Sequence, residues 1–222
     1  MGKTKLYPWM IEHRHPIFLV GLLSFFILPE IIEKVLMVRI SFPILISILI
    51  ISSIMLIHTS PKKSVLSYSL VAVLIIFVFV WAAFENNALL GKIAFNLLFI
   101  YFSIISFYLY QDLRRSEIIN GSVVIGAFSG YFMIGVIFTF ILAFLDLSFP
   151  DTLNLDMNGM DGIQNTFYFS FITLTTIGYG DFAPTSPLGQ NIAILEGLIG
   201  QFYIAIIMAV IVGKFISNNS KK

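Results

Sequence analysis

The sequence predicts an all-α membrane protein: six transmembrane helices, with a short re-entrant helix and an irregular loop between the fifth and the last. Three observations predict it. The chain is 58% hydrophobic and 11% charged, where soluble domains carry about 25% charged residues, and its apolar residues fall in long blocks. One segment, 148–186, interrupts those blocks with polar residues and a short half-apolar stretch. Lysine and arginine collect on alternate connections, the pattern of a chain threaded back and forth with its positive ends inside.

Apolar blocks of about 18 residues or more read as spanning helices. The first covers about 16–37 and is interrupted by Pro29, Glu30, Glu33 and Lys34. Lys3, Lys5 and Arg14 ahead of Ile17–Leu28 look like a secretory leader, but no small-residue cleavage site follows, so the helix is read as retained. The second runs from Phe42 to His58 and closes at Thr59-Ser60-Pro61-Lys62-Lys63. The third is Leu66–Phe84, and the fourth Ala88–Tyr110, followed by the polar stretch Gln111–Glu117. The fifth covers about 118–147. The last, Pro187–Ile216, is about 45 Å long at 1.5 Å per residue; Ser186 is its expected N-cap and Pro187 opens its first turn. With both termini cytoplasmic, Lys3, Lys5, Arg14, Lys62, Lys63, Arg114, Arg115, Lys214, Lys221 and Lys222 lie inside, and only Lys34, Arg39 and Lys92 outside. This divides the chain into a four-helix peripheral domain, 1–117, and a domain at 118–222 that carries the loop. After Ile216 too little chain remains to fold into a soluble module.

The segment 148–186 opens on a polar turret with Asp151, Asp156, Asn158 and Asp161. A helix is expected from about Met160, with Asn158 as N-cap and Asp161 favourable in the first turn. Its apolar part, Ile163–Leu174, is too short to cross a bilayer. Irregular backbone at membrane depth is tolerated only where protein buries it or a watery cavity receives it, and a re-entrant loop meets that condition. Thr175-Thr176-Ile177-Gly178-Tyr179-Gly180-Asp181 follows. A cation leaving water needs oxygens to replace its hydration shell. Backbone carbonyls supply them if successive peptides aim at one axis, which requires positive φ at some positions, and glycine adopts that at little steric cost. Gly178 and Gly180 bracket Tyr179 in a way that suits such an alternation, and the Thr176 hydroxyl adds an innermost ligand.

These residues resemble the potassium channel family. Thr-x-Gly-Tyr-Gly-Asp, preceded by a short apolar helix and followed by a spanning one, is similar to its selectivity-filter signature, with Ile177 where valine is usual. The resemblance is specific over about 160–216; the first four helices resemble the six-helix channel plan only in number and placement. It implies that Thr176, Ile177, Gly178 and Tyr179 present carbonyl oxygens to K+, completed by Gly180, with Thr175 just beneath at the end of the pore helix. Asp181 would concentrate cations at the outer mouth and anchor the filter by a hydrogen bond. Tyr168 and Phe169 would form an aromatic cuff around Tyr179. Some relatives carry a carboxylate one turn before the filter threonine; Ile172 stands there, so a simpler Asp181 network is implied. The pore helix would turn its negative C-terminal end toward a cation at mid-membrane. A single loop makes a quarter of a fourfold filter, which implies a homotetramer.

Gly200 falls where the family places its gating hinge; close packing against the pore helix is the other reading. Below it Ile204, Met208, Val212 and Ile216 recur at helical spacing. A ring of such residues, Met208 and Val212 foremost, would close a pore by dewetting, or the stripe faces the fifth helix. Glu196 is the carboxylate deep within a clear span, where insertion costs about 2.5 kcal/mol or more, so it needs a partner. It supports the filter from behind, serves a proton-sensitive gate, or is simply hydrogen-bonded near the interface. Arg114 and Arg115 are candidates for anionic lipid headgroups, or a plain positive-inside pair.

Voltage sensors carry several cations on the fourth helix. Here Ala88–Tyr110 holds Lys92 alone, so steep voltage gating is not expected. A net charge of +1 argues against nucleic-acid binding, and zero cysteines exclude disulfides and thiolate metal sites. His13, His15 and His58 are scattered and read as ordinary. No catalytic constellation is visible, so neither an enzyme nor a small-molecule substrate or cofactor is expected, K+ being the permeant ion. The reading is passive potassium conduction in a cell membrane. A weakly selective cation channel and a non-conducting regulatory subunit are the alternatives.

Overall fold

The computed structural model describes residues 13–35, 38–57, 71–73, 75–76, 78, 88–116, 120–149, 152–153 and 160–219. Most of the third predicted span, the turret with Asn158, and the lysines near each terminus lie outside the described residues. So do His58, Lys62 and Lys63. All described secondary structure is helical. The elements are α1 (Arg14–Val35), α2 (Val38–Ile57), α3 (Ala88–Arg115), α4 (Gly121–Ser148), α5 (Met160–Leu174), α6 (Pro187–Phe202) and α7 (Ala209–Asn219). A π-helical turn, Tyr203–Met208, joins α6 to α7. Three stretches are long and apolar enough to cross a membrane: Leu89–Arg115, Gly121–Ser148 and Pro187–Lys214.

One boundary differs from the sequence reading for an identifiable reason. The helix expected to end at Tyr110 continues to Arg115. Nothing in Gln111–Arg115 breaks a helix, and Arg114 and Arg115 complement the negative end of its dipole. They are therefore the last turn of α3 and not part of a link. The connection to α4 is short, and Asn120 caps α4 by accepting from the Val123 amide at 3.1 Å. Such a connection makes α3 and α4 direct neighbours in the same chain.

α4 is the hub, touching α1, α3, α5, α6, the π turn and α7. The core formed around it is mostly aliphatic and aromatic: Phe18, Leu22, Leu49, Leu98, Phe102 and Phe140 are all buried, with Phe102 stacked on Phe140 at 5.6 Å. Small residues set the close approaches, as is usual between membrane helices. A Cβ on Gly21 would meet the Ser52 Oγ at 2.2 Å, and one on Gly126 the His15 Nδ1 at 2.8 Å. At the same end Arg14 donates to both oxygens of Asp112 at 2.8 and 2.7 Å, tying the start of α1 to the end of α3. Farther along α1, Phe25 stacks on Phe167, and Phe26 meets Phe171 edge-on at 4.9 Å. Such pairs contribute about 0.5–1.5 kcal/mol each beyond area burial. The first helix thus reaches α5 itself.

Candidate functional site

The loop after α5 has a back and a front. An α-helix leaves its last four carbonyls without helical partners, and here all four are taken. Phe171 O accepts from the Thr175 amide at 3.0 Å and the Thr175 Oγ1 at 2.6 Å. Ile172 O receives the amides of Ile177 and Gly178 at 2.9 and 3.1 Å, and Thr173 O that of Thr176 at 3.0 Å. Tyr131 of α4 reaches across to donate to Leu174 O at 2.9 Å. The loop's first four amides therefore point back at the helix it has just left.

The front is the complement. Thr176, Gly178 and Gly180 have φ of +60°, +51° and +79°, so every second residue is left-handed. The two glycines were foreseen; Thr176 was not. A β-branched residue at positive φ is a true outlier, with a cost of order 1–3 kcal/mol that persists only where surroundings over-determine it. The amide bonds just described supply that constraint. Among the described residues, the carbonyls of 176–180 accept no hydrogen bond. Side chains at 175–181 are exposed, with Ile177 at 53% and Tyr179 at 73% in the single chain.

Around the loop, Asp181 accepts from the Tyr168 Oη at 2.8 Å and from the Phe182 amide at 3.1 Å. The first bond also raises the Tyr168 phenol above its ordinary titration range. Tyr168 lies edge-on to Phe182 at 5.8 Å. Phe169 faces the other way, buried with Leu142 and Leu153. Within one chain these two aromatics therefore fix the flank of the loop and its junction with α4, and Tyr179 projects clear. Ser186 caps α6 as expected, accepting from Gly189 N at 3.0 Å.

Glu196 is 0% exposed and is hydrogen-bonded to Ser170 of α5, whose Oγ also lies 2.8 Å from Gly135 O of α4. Ile172 offers no carboxylate to the loop, but α6 delivers one to the same helix from the opposite side. Sequence reasoning missed Ser170, Gly135 and Tyr131. The usable signal was that a lone intramembrane carboxylate must find a polar group, and Ser170 is one of those that α5 offers.

Gly200 is a close-packing site. A Cβ there would come 2.6 Å from Leu174 Cδ1 and 3.1 Å from Leu174 O. Three residues on, the helix widens into the π turn, a form that is rare and often local to functional sites. There Tyr203 donates to Ala127 O at 2.7 Å, and its hydroxyl fills the space that Gly130 leaves. Ile204, Val212 and Ile216 are exposed; the Met208 side chain lies outside the described residues. A cavity of about 320 Å³ opens between α3, α4, the π turn and α7. Arg114 and Lys214 line it, together with Ser106 and Tyr203. Arg115 does not.

Residues 128–217 match the family model described as ion channel. Over 86 residues the chain is 33% identical to mouse (Mus musculus) potassium voltage-gated channel subfamily A member 10, covering 38% of this chain and 16% of that protein. It is 38% identical over 53 residues to potassium voltage-gated channel protein shk-1 of Caenorhabditis elegans, 24% of this chain and 10% of that one. It is 30% identical over 93 residues to the rat (Rattus norvegicus) voltage-gated potassium channel regulatory subunit KCNF1, 41% and 18% respectively. The matched part thus spans less than a fifth of each relative. No solved structure matches to the same standard.

Proposed function

We propose, from the premise that the pore-side part of this chain belongs to the potassium channel family, that four copies close around one axis and conduct potassium passively. The observation that carries this reading is the two-sided loop: its first four amides are committed behind, and among the described residues its carbonyls from 176 to 180 are unbonded in front. Unbonded carbonyls on a backbone of alternating handedness suit a desolvated cation. In this reading Thr176, Ile177, Gly178 and Tyr179 hold K+, Gly180 completes the outer ring, and Thr175 closes the base. Asp181 raises the cation concentration at the mouth.

Four copies also account for what one chain leaves bare. Along α6 and beyond, Leu195, Leu198, Ile199, Phe202 and Ile206 are exposed; neighbouring copies and the central cavity would receive them. Gly200 and the π turn below it supply a place for the inner helix to bend, and Val212 with Met208 the constriction. The peripheral helices complete a six-span subunit in a cell membrane, both ends cytoplasmic. With α3 carrying only Lys92 in its outer half and Arg114 and Arg115 in its last turn, they confer no steep voltage dependence. Arg114, beside Lys214, offers positive charge to an anionic lipid headgroup.

The likeness to KCNF1, named as a regulatory subunit, supports a second reading in which the chain conducts only alongside another subunit. Purified protein in liposomes separates the two. Potassium efflux from tetramers of this chain alone, abolished by Gly178→Ala, supports conduction. Well-folded tetramers without efflux support the regulatory reading.

A further inference from the structure

The Ser170 hydroxyl sits between two oxygens. One is the carbonyl of Gly135 on α4, at 2.8 Å; the other is Glu196 Oε1 on α6, in short hydrogen-bonding contact. A hydroxyl has one proton to give, and a carbonyl oxygen can only accept. Both contacts can be hydrogen bonds only if the second proton comes from Glu196. The alternative is an ionised Glu196 that takes the Ser170 proton and leaves Ser170 facing Gly135 O across bare lone pairs.

The surroundings decide against the alternative. Among the described residues Glu196 Oε2 is buried with no hydrogen-bond partner, and no cation pairs with the carboxyl. From α4 the titratable group facing it is Tyr131, whose proton is committed to Leu174 O. A carboxylate sealed from water with a single donor is among the costliest arrangements a protein can hold, whereas a neutral carboxylic acid needs only the bond it already makes. Gly135 makes the site possible: a Cβ there would lie 2.8 Å from the Phe171 ring and push α5 away.

We propose that Glu196 is a neutral carboxylic acid that donates to Ser170, which in turn donates to Gly135 O, and that this α6–α5–α4 relay is a positioning element for the loop. Ser170 lies one turn before Leu174, and Glu196 one turn before Gly200, which touches Leu174. The relay therefore fastens three helices immediately behind the turn that receives the loop's amides. The protonation claim stands by itself; the effect on ion flow rests on the conduction reading above.

Two measurements on the full chain in liposomes test it. Infrared difference spectra between wild type and E196Q at neutral pH should show the loss of a protonated-carboxyl carbonyl band. Loss of carboxylate bands instead would overturn the protonation claim. In flux assays E196Q, whose amide still donates to Ser170, should restore potassium efflux and K+ over Na+ preference to within about twofold of wild type. E196A and S170A should lower that preference about tenfold, the scale expected for orphaning a buried hydrogen-bonding group. Wild-type preference in both alanine variants would overturn the positioning role. Should E196A fail to assemble, S170A and the spectra still decide. If wild type itself passes no potassium, the conduction reading fails while the spectra still report on Glu196.

Discussion

The back and front of the loop at 175–181 differ in every physical respect although they share the same residues. Behind it, each of the last four carbonyls of α5 has a partner, Glu196 is sealed from water, and glycines at 135 and 200 admit close contact. In front, the carbonyls of 176–180 accept no hydrogen bond among the described residues, and Ile177 and Tyr179 stand exposed. A chain does not normally leave acceptors unmet beside apolar side chains. The contrast teaches that the back is packed and bonded within one chain, whereas the front, in the proposed function, is finished by other molecules: neighbouring copies for the side chains and a cation for the carbonyls.

Substitutions can break one side and spare the other. Gly178→Ala should have the largest effect. An added Cβ there meets nothing within 4 Å, so its penalty is the positive φ alone, about 1–2 kcal/mol per chain, repeated in each copy. Potassium efflux should vanish while the tetramer persists on size-exclusion chromatography in detergent. Next comes Gly200→Val, which forces branched carbon against Leu174 from behind; overpacking of this kind costs about 1–3 kcal/mol. Thermal unfolding should drop by several degrees, with flux reduced in step. Tyr131→Phe removes only the bond to Leu174 O, worth about 1 kcal/mol, and should lower the melting temperature slightly with flux retained. The smallest change is expected from Tyr168→Phe. Its bond to Asp181 lies at the exposed rim, so stability should hold and only K+ conductance at low ionic strength should fall.

Much of this arrangement was legible because particular residues carry strong local rules. Ser186 and Pro187 announced the start of α6, and Gly178 and Gly180 announced left-handed backbone. Met160 was a fair estimate of where α5 begins, and composition made long helices unavoidable. What escaped depended on distant partners. Thr176 is a β-branched residue whose positive φ comes from amide bonds to α5, not from its own preference. Ser170 and Glu196 meet only because α5 and α6 pack together, and nothing local in either helix names the other. Asp146, buried near the end of α4, receives the Leu153 amide at 3.0 Å and drew no notice in the sequence. The π turn was invisible because every face of the last helix is apolar; Tyr203 and Gly130 reveal their fit only in three dimensions. Gly135 and Gly200 could be seen as glycines, but not as the contacts they make.

The central claim is that the front of the loop selects potassium. Ion flux through purified protein in liposomes, measured with potassium and with sodium as the sole permeant cation, tests it most directly. The account predicts rapid potassium flux and far slower sodium flux, with the difference lost in Gly178→Ala. Equal rates for the two ions would contradict it.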